Sequence, residues 1–440
     1  MVHKNQKKIS PEIYHKSQHN IDPNHINKNA KDVINFLKRS GYKAYIVGGG
    51  VRDLLLGKKP KDFDIATNAT PEQIKKVLPR SRIIGRRFKL VHYRKGRDII
   101  EIATFRSGGK KKVQKSKRGL VLRDNIYGNI QDDAFRRDFK INALYLDIDT
   151  MEIIDYTGGY KDLENKKLSS IGDSKVRFRE DPVRIIRAIR FISAMDLDCK
   201  ESLKTDIYNL ANLLEEVPAA RRYEEVLKLF FTGSASKTFN KLIEFKVLRF
   251  LLPSTSRYFQ EEKSDKKIIS FIKLALENSD SRAARDLPLT PAFLFSVLLW
   301  PAVVKRIGEI QSSKIKIPTL RKVADRTIQQ QNTHSFIPNR VETMIKDIWE
   351  LQIRLLKIDS PKTSSLLTHK RFRASYDFLI LREKSGVNLN GCGKWWTDLQ
   401  NQTNLIDFFS NHRWPPELLS EYFLTSPEGP GGRTESFFFQ

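Results

Sequence analysis

Two aspartates, Asp62 and Asp64, flank one phenylalanine in the run Asp62-Phe63-Asp64-Ile65. Alternate side chains of a strand leave on opposite faces, so both carboxylates share one face while Phe63 and Ile65 turn to the other. Such a pair repels when left alone, and a hard cation that takes oxygen ligands removes the repulsion. Just upstream, Gly48-Gly49-Gly50 interrupts an apolar stretch at 44–47 and precedes a short helical pattern from Val51 to Leu56. Glycines let the backbone turn and approach a ligand closely, and the free N–H groups of a helix start favour an anion. Arg52 adds a charged donor at the same place. This order suits a site that holds phosphates beside divalent metal ions. The plainer alternative is a tight turn followed by an exposed strand edge. Other glycine-rich loops fit poorly: the dinucleotide fingerprint needs a glycine where Asp53 stands, and the phosphate-loop signature needs Ser or Thr where Lys59 stands.

Two further groups could join that chemistry. Glu101 stands inside the apolar run 99–103, where a carboxylate is unfavourable unless paired or metal-bound. It reads either as the partner of Arg106 or another local base, or as a third acid of a two-metal site. Glu180-Asp181-Pro182-Val183-Arg184 opens a long helical pattern. Asp181 fits the N-cap, with Pro182 in the first turn. Asp181 and Arg184 together offer an acceptor beside a multi-donor fork, able to read a base edge. Arg187 and Arg190 continue the row, and one or two of these arginines could simply bridge to neighbouring acids. Arg221 and Glu225, four residues apart, read as a helix-stabilising pair rather than a catalytic one.

The elements that must position these residues fall into an ordered series. Residues 1–30 are polar and read as a loose basic arm. From 31 to 157 strands and helices alternate. Helix 31–39 precedes the glycine turn, and Thr70, Pro71 and Gln73 form a capping box at another helix start. Strands read at 81–84, 90–93, 99–105 and 141–147. After Gly158-Gly159 the pattern is helical, with a first stretch at 158–260, a second at 261–414, and a Pro- and Gly-rich tail at 415–440. Residues 107–119 carry six basic side chains and no acid, which suits a mobile loop, either solvated or tracking a phosphate backbone.

Composition narrows the partner. Lys plus Arg number 79 against 51 Asp plus Glu, a formal charge of +28 on 440 residues. Such an excess opposes compactness unless a polyanion is a regular partner, so RNA or DNA is the first candidate. Two distant cysteines exclude a disulfide framework and a cysteine zinc site. No segment nears the roughly 18 apolar residues of a membrane span, and the N-terminus lacks the apolar core of a signal peptide. A soluble protein of a reducing compartment, hence cytoplasmic, is the economical expectation.

With these residues in place, the chain resembles the class II nucleotidyltransferases of the DNA polymerase beta superfamily, which comprise bacterial poly(A) polymerases and tRNA CCA-adding enzymes. GGGVRDLLLGKKPKDFDIATNATPE resembles their glycine turn and DxD. RRDFKINALYLD (136–147) is similar to their flexible motif, with Lys140 where Thr is usual. REDPVRIIRAIRF (179–191) resembles the nucleotide-reading motif, and PAARRYEEVLKLF (218–230) the neck helix. IIGRRFKLVH (83–92), HKRFRASYDFLILR (369–382) and KWWTDLQ (394–400) point to the poly(A) branch. Residues 415–440 depart from it, holding four Glu and one Arg where a strongly basic tail is common.

The resemblance implies an α+β fold: a nucleotidyltransferase head with a small mixed β-sheet and helices, followed by an all-α neck and body. It implies Asp62 and Asp64 as holders of catalytic Mg2+, with Glu101 the third carboxylate. Gly48, Gly49 and Arg52 would bind the triphosphate of ATP. Asp181 and Arg184 would read the base, helped by Arg137 and Asp138. The expected activity is template-independent addition of AMP to RNA 3′ ends, in RNA processing and decay. CCA addition to tRNA is the alternative, and an inactive basic RNA-binding protein the remote one. Nothing in the sequence bears on the oligomeric state.

Overall fold

The structure is a computed structural model that describes residues 9–85, 89–96, 98–107, 114–115, 121–123, 126–261, 265–310, 315–359 and 363–402. The paired basic residues of 86–88, most of the basic segment 107–119 and the tail 415–440 lie outside the described residues. The chain divides into two compact units at Leu213/Leu214.

The first unit is built on an eight-stranded mixed sheet. In chain order its strands are β1 (Glu12–Tyr14), β2 (Ala44–Val47), β3 (Asp64–Thr67), β4 (Ser81–Ile84), β5 (Leu90–Lys95), β6 (Asp98–Thr104), β7 (Leu144–Leu146) and β8 (Ile153–Asp155). Across the sheet they run β1-β8-β7-β2-β3-β6-β5-β4. Pairings are antiparallel except for β3 with β6, which is parallel. That one parallel pair sets Asp64 directly beside Glu101.

The strands bury both faces, so two apolar layers are needed. One face packs Ile46, Ile65, Ile102 and Leu146 against helix α1 (Lys28–Arg39), whose Ala30, Val33, Ile34 and Leu37 recur at helical spacing. Helices α2 (Gly49–Leu55) and α3 (Pro71–Val77) add Val51, Leu54 and Ile74 to that layer. The capping box of α3 is formed: Thr70 accepts from Gln73 N at 3.3 Å and Gln73 from Thr70 N at 2.8 Å. The other face packs Val47, Ala66, Phe105 and Tyr145 against Ala134 of α4 (Ile130–Arg136). The acids of the site leave from this second face. Helices α5 (Gly159–Glu164), α6 (Ser174–Glu180), α7 (Val183–Met195) and α8 (Glu201–Leu210) complete the unit.

Three expectations need correction. Residues 9–30 are not a loose arm: β1 extends the sheet beside β8, and Tyr14 stacks on Tyr160 at 3.9 Å between ring centroids. Polar composition hid this because an edge strand buries only one residue in two. The strand expected at 141–147 begins as a 3-10 turn, Lys140–Asn142, with β7 following. The helix expected from Arg179 breaks at Asp181, which caps the end of α6, and Pro182 rather than Asp181 is the N-cap of α7. Proline is tolerated at a helix start because it needs no N–H there.

The second unit is helical throughout its described residues. α9 (Ala219–Phe230), α10 (Ala235–Glu244), α11 (Leu248–Leu251), α12 (Pro253–Gln260), α13 (Lys266–Ala284) and α14 (Pro291–Leu298) are followed by α15 (Trp300–Gly308), α16 (Ile317–Asn332), α17 (Asn339–Leu355), α18 (Phe372–Lys384) and α19 (Cys392–Gln402). Trp349 and Trp396 are fully buried, and each indole N–H finds a carbonyl, Ser296 O at 3.0 Å and Leu355 O at 2.8 Å. No single helix among the described residues is long and apolar enough to cross a membrane. The bent pair α14 and α15 passes by composition, yet its Phe295, Leu298 and Val303 are core residues. Arg221 and Glu225 lie in this unit, on α9. Glu225 is buried and pairs with Lys228 at 3.2 Å. Arg222, also on α9, is buried and donates to Thr333 O at 3.0 Å.

Candidate nucleotide-transfer site

Register explains how the acids meet. Tyr145 on β7, Val47 on β2, Asp64 on β3, Glu101 on β6 and His92 on β5 are successive cross-strand partners. Partners in register point to one face. The row is therefore apolar at Tyr145 and Val47 and acidic at Asp64 and Glu101. Asp62 precedes β3, and it and Asp64 are exposed while Phe63 and Ile65 are buried at 3% and 0% exposure. The expected alternation holds.

Asp64 reaches water at its open side, yet the protein closes around it elsewhere. Burial, the neighbouring Glu101 charge and Asp62 lift its carboxyl to about 6, against the opposing pull of Arg137 and Arg187. Glu101 is half exposed, since alternation buries Ile100 and Ile102 instead. Its partner is His92, a local base other than Arg106, with Nε2 and Oε1 3.1 Å apart. Arg106 turns to the backbone O of Lys89 at 3.3 Å.

The glycine turn lies next to this row. Gly48 has φ +71° and ψ −130°, a conformation open to glycine almost alone. A Cβ there would stand 3.5 Å from Arg137 Nη1 and 3.8 Å from Asp64 Oδ2, filling the space between cation and acid. A Cβ on Gly49 would stand 3.5 Å from Arg52 Nη2. Backbone, Arg52 and Arg137 thus frame one small cradle at the start of α2.

Polar partners hold both arginines. Arg52 donates to Asn142 Oδ1 at 2.8 Å and, through Nε and Nη2, to Asp53 Oδ1 at 2.9 and 2.8 Å. Its guanidinium also lies 5.3 Å from the Phe191 ring centroid on α7. Arg137 donates to Asp133 Oδ2 at 3.1 and 3.0 Å, to Tyr145 Oη at 3.2 Å and to Asn142 O at 3.3 Å. Tyr145 in turn donates to Asp133 Oδ2 at 2.7 Å. Burial works against an ionised Asp133, but the Arg137 charge and the Tyr145 bond keep its carboxyl below the usual range.

Asp138 is buried. Its Oδ1 accepts from Phe139 N at 2.8 Å and Asn142 Nδ2 at 3.3 Å, and Arg187 Nη2 approaches Oδ2 at 2.8 Å. Burial opposes its charge, yet Arg187 and then Arg184 hold it below its ordinary pKa. A polar chain thus runs Arg52, Asn142, Asp138, Arg187, from the glycine turn to α7. Of the two residues expected to help at the base, Arg137 lies beside Gly48 and Asp64, and Asp138 pairs with Arg187 in this chain.

At the break between α6 and α7, the backbone O of Asp181 accepts from Arg184 N at 3.1 Å. Arg184 donates to Arg177 O at 3.2 Å and Arg136 O at 3.4 Å, with Glu180 at 3.6 Å. Burial and the adjacent Arg177 charge lower its pKa to about 10, so it remains a cation near neutrality. Sequence reasoning missed Asn142, Asp133, Tyr145, His92 and Arg177. Only Asp133 carried a usable signal, its four-residue spacing before Arg137.

Among the described residues, no three His, Cys, Asp or Glu side chains already converge into a closed metal cage. An open arrangement suits magnesium, which is usually held by one or two carboxylates with waters and substrate phosphates completing its octahedron. Asp62 and Asp64 on a shared, water-open face fit that pattern.

Comparison with known proteins follows the same lines. The chain is 40% identical over 395 residues to "Poly(A) polymerase I" of Escherichia coli O157:H7, covering 88% of this chain and 85% of that one. The Haemophilus influenzae protein of the same name is 39% identical over 425 residues, 94% and 91% of the two chains. The chain belongs to the poly(A) polymerase family. Its models match residues 44–169 as a poly A polymerase head domain, 197–259 as a probable RNA and SrmB-binding site of polymerase A, and 313–406 as a polymerase A arginine-rich C-terminus. A CCA-adding enzyme from a Geobacillus species is 33% identical over 222 residues, about half of each chain. The solved structure of the Bacillus stearothermophilus CCA-adding enzyme shares the fold, with TM-score 0.55 and 23% identity over 92% of this chain and 90% of that one. The head with a mixed sheet and the helical body are therefore as expected.

Proposed function

We propose that this chain is a polynucleotide adenylyltransferase, a template-independent poly(A) polymerase that adds AMP from ATP to RNA 3′ ends and releases pyrophosphate. The observation that carries the reading is the 40% identity to a poly(A) polymerase over 88% of the chain, with CCA-adding relatives more distant, at 33% over half of it or 26% over 86%. The site is compatible with it. The Gly48 turn, Arg52 and Arg137 would bind the triphosphate. Asp62 and Asp64 would hold the divalent ions, magnesium by this reading, with Glu101 as the third carboxylate. When bound, such ions lower the pKa of the RNA 3′-hydroxyl and neutralise charge on the departing pyrophosphate. Asp181 and Arg184 would present an acceptor and a donor fork to the base. The net charge of +28 suits a polyanionic RNA partner, and cytoplasmic RNA turnover is the setting proposed for the activity.

Supplying ATP or CTP separately to oligo(A) and to tRNA lacking CCA tests the proposal. AMP chains on oligo(A) are expected. Efficient CMP incorporation on the tRNA, with no AMP on oligo(A), would overturn it in favour of CCA addition.

A further inference from the structure

Arg177 belongs to neither the glycine turn, the aspartate pair nor the Asp181/Arg184 mouth, yet it touches what joins them. It sits on α6, and its Nη2 lies against the backbone oxygens of both Arg136 and Arg137. Its Nη1 donates to Glu180 Oε2 at 2.9 Å. Helix α4 ends at Arg136, where the last carbonyls lack intrahelical donors and the helix dipole favours a cation. Arg184 reaches the same helix end through Nη2 to Arg136 O at 3.4 Å. Glu180 lies between the two guanidinium groups, 2.9 Å from Arg177 and 3.6 Å from Arg184.

Both arms of the site meet at this point. One leads from α4 into Arg137, beside Gly48 and Asp64, and Asp138, paired with Arg187. The other is the α6/α7 break that carries Asp181 and Arg184. Forty residues of chain separate Arg137 from Arg177, so their spacing is set by contacts rather than connectivity. We propose that Arg177 is a positioning residue that fixes the base-reading pair Asp181/Arg184 relative to the phosphate end of the site, and thereby sets nucleotide discrimination. The inference rests on the nucleotidyltransferase reading above. A planar guanidinium can span two carbonyls and a carboxylate at once, which a lysine ammonium of equal charge cannot reproduce. Without the strap, the Arg184 fork no longer has a fixed height above the bound phosphates, and small misplacements of this kind weaken binding and selection together.

Arg177→Ala and Arg177→Lys test it in the full-length protein, with oligo(A) as primer and ATP or CTP as the nucleotide. Both variants are expected to bind oligo(A) as the wild type does. KM for ATP should rise about tenfold, the ATP-over-CTP preference should fall by a similar factor, and kcat should change less. Lysine should restore thermal stability more than it restores discrimination. A folded Arg177→Ala with wild-type KM and preference would overturn the inference. Should alanine prevent folding, the same wild-type values in Arg177→Lys would overturn it. Failure of the underlying reading is distinguishable, because the wild-type protein itself would then add no AMP to oligo(A).

Discussion

Replacing Asp64 by asparagine is expected to stabilise the ligand-free protein while abolishing nucleotide addition. The Asp64 carboxyl rises from 3.8 to about 6, first through burial and then through Glu101. One pKa unit corresponds to about 1.4 kcal/mol, so the full shift would disfavour the ionised form by about 3 kcal/mol. The carboxylate is open to solvent on one side, and screening reduces this to about 1 kcal/mol. An acid whose pKa is raised by folding leaves stability intact below its unfolded pKa, and that stability is lost as pH climbs through the folded value. The neutral amide has no such penalty. Urea unfolding should therefore show a gain of about 1 kcal/mol for Asp64→Asn at about pH 8, shrinking below about pH 6 and vanishing near pH 4. Magnesium should stabilise the wild type more than the variant, because the variant has lost a ligand that only the folded state assembles. A variant less stable than wild type at the high pH would refute the reasoning, as would a gain that does not vary with pH.

Two substitutions probe the supports of the site. Gly48→Ala should lose about 2 kcal/mol from its positive φ and should raise KM for ATP, because its Cβ would occupy the gap between Arg137 and Asp64; steady-state kinetics with unchanged KM would contradict the cradle. Tyr145→Phe removes a donor to Asp133 and an acceptor for Arg137, and should cost about 2 kcal/mol in thermal or urea unfolding. A loss confined to a few tenths would show that Asp133 and Arg137 hold each other without the phenol.

Local chemistry made much of the site readable before any fold was known. Asp62 and Asp64 share a face because strand alternation is a property of the backbone, and the burial of Phe63 and Ile65 follows from it. Thr70, Pro71 and Gln73 form their capping box because all its partners lie within one turn. Residues 9–30 were misjudged because their ordering depends on β8 and on Tyr160, more than a hundred residues away. The N-cap of α7 falls one residue beyond Asp181, since a proline start and an aspartate cap are both locally acceptable.

By itself, the sequence determined the residue types of the site: the glycine turn, the paired aspartates, the arginine-rich helix and the basic charge. It also determined the local elements that carry them, because spacing and turn chemistry act over a few residues. Tertiary structure alone decided which of these meet. Within the eight-stranded sheet, the parallel pairing of β3 with β6 places Glu101 beside Asp64, and His92 follows by register. Asn142, Asp138 and Arg187 join the glycine turn to α7, and Arg177 straps α6 to the end of α4. Hydrogen bonds and ion pairs depend on distance in space, and the chain records distance only along itself.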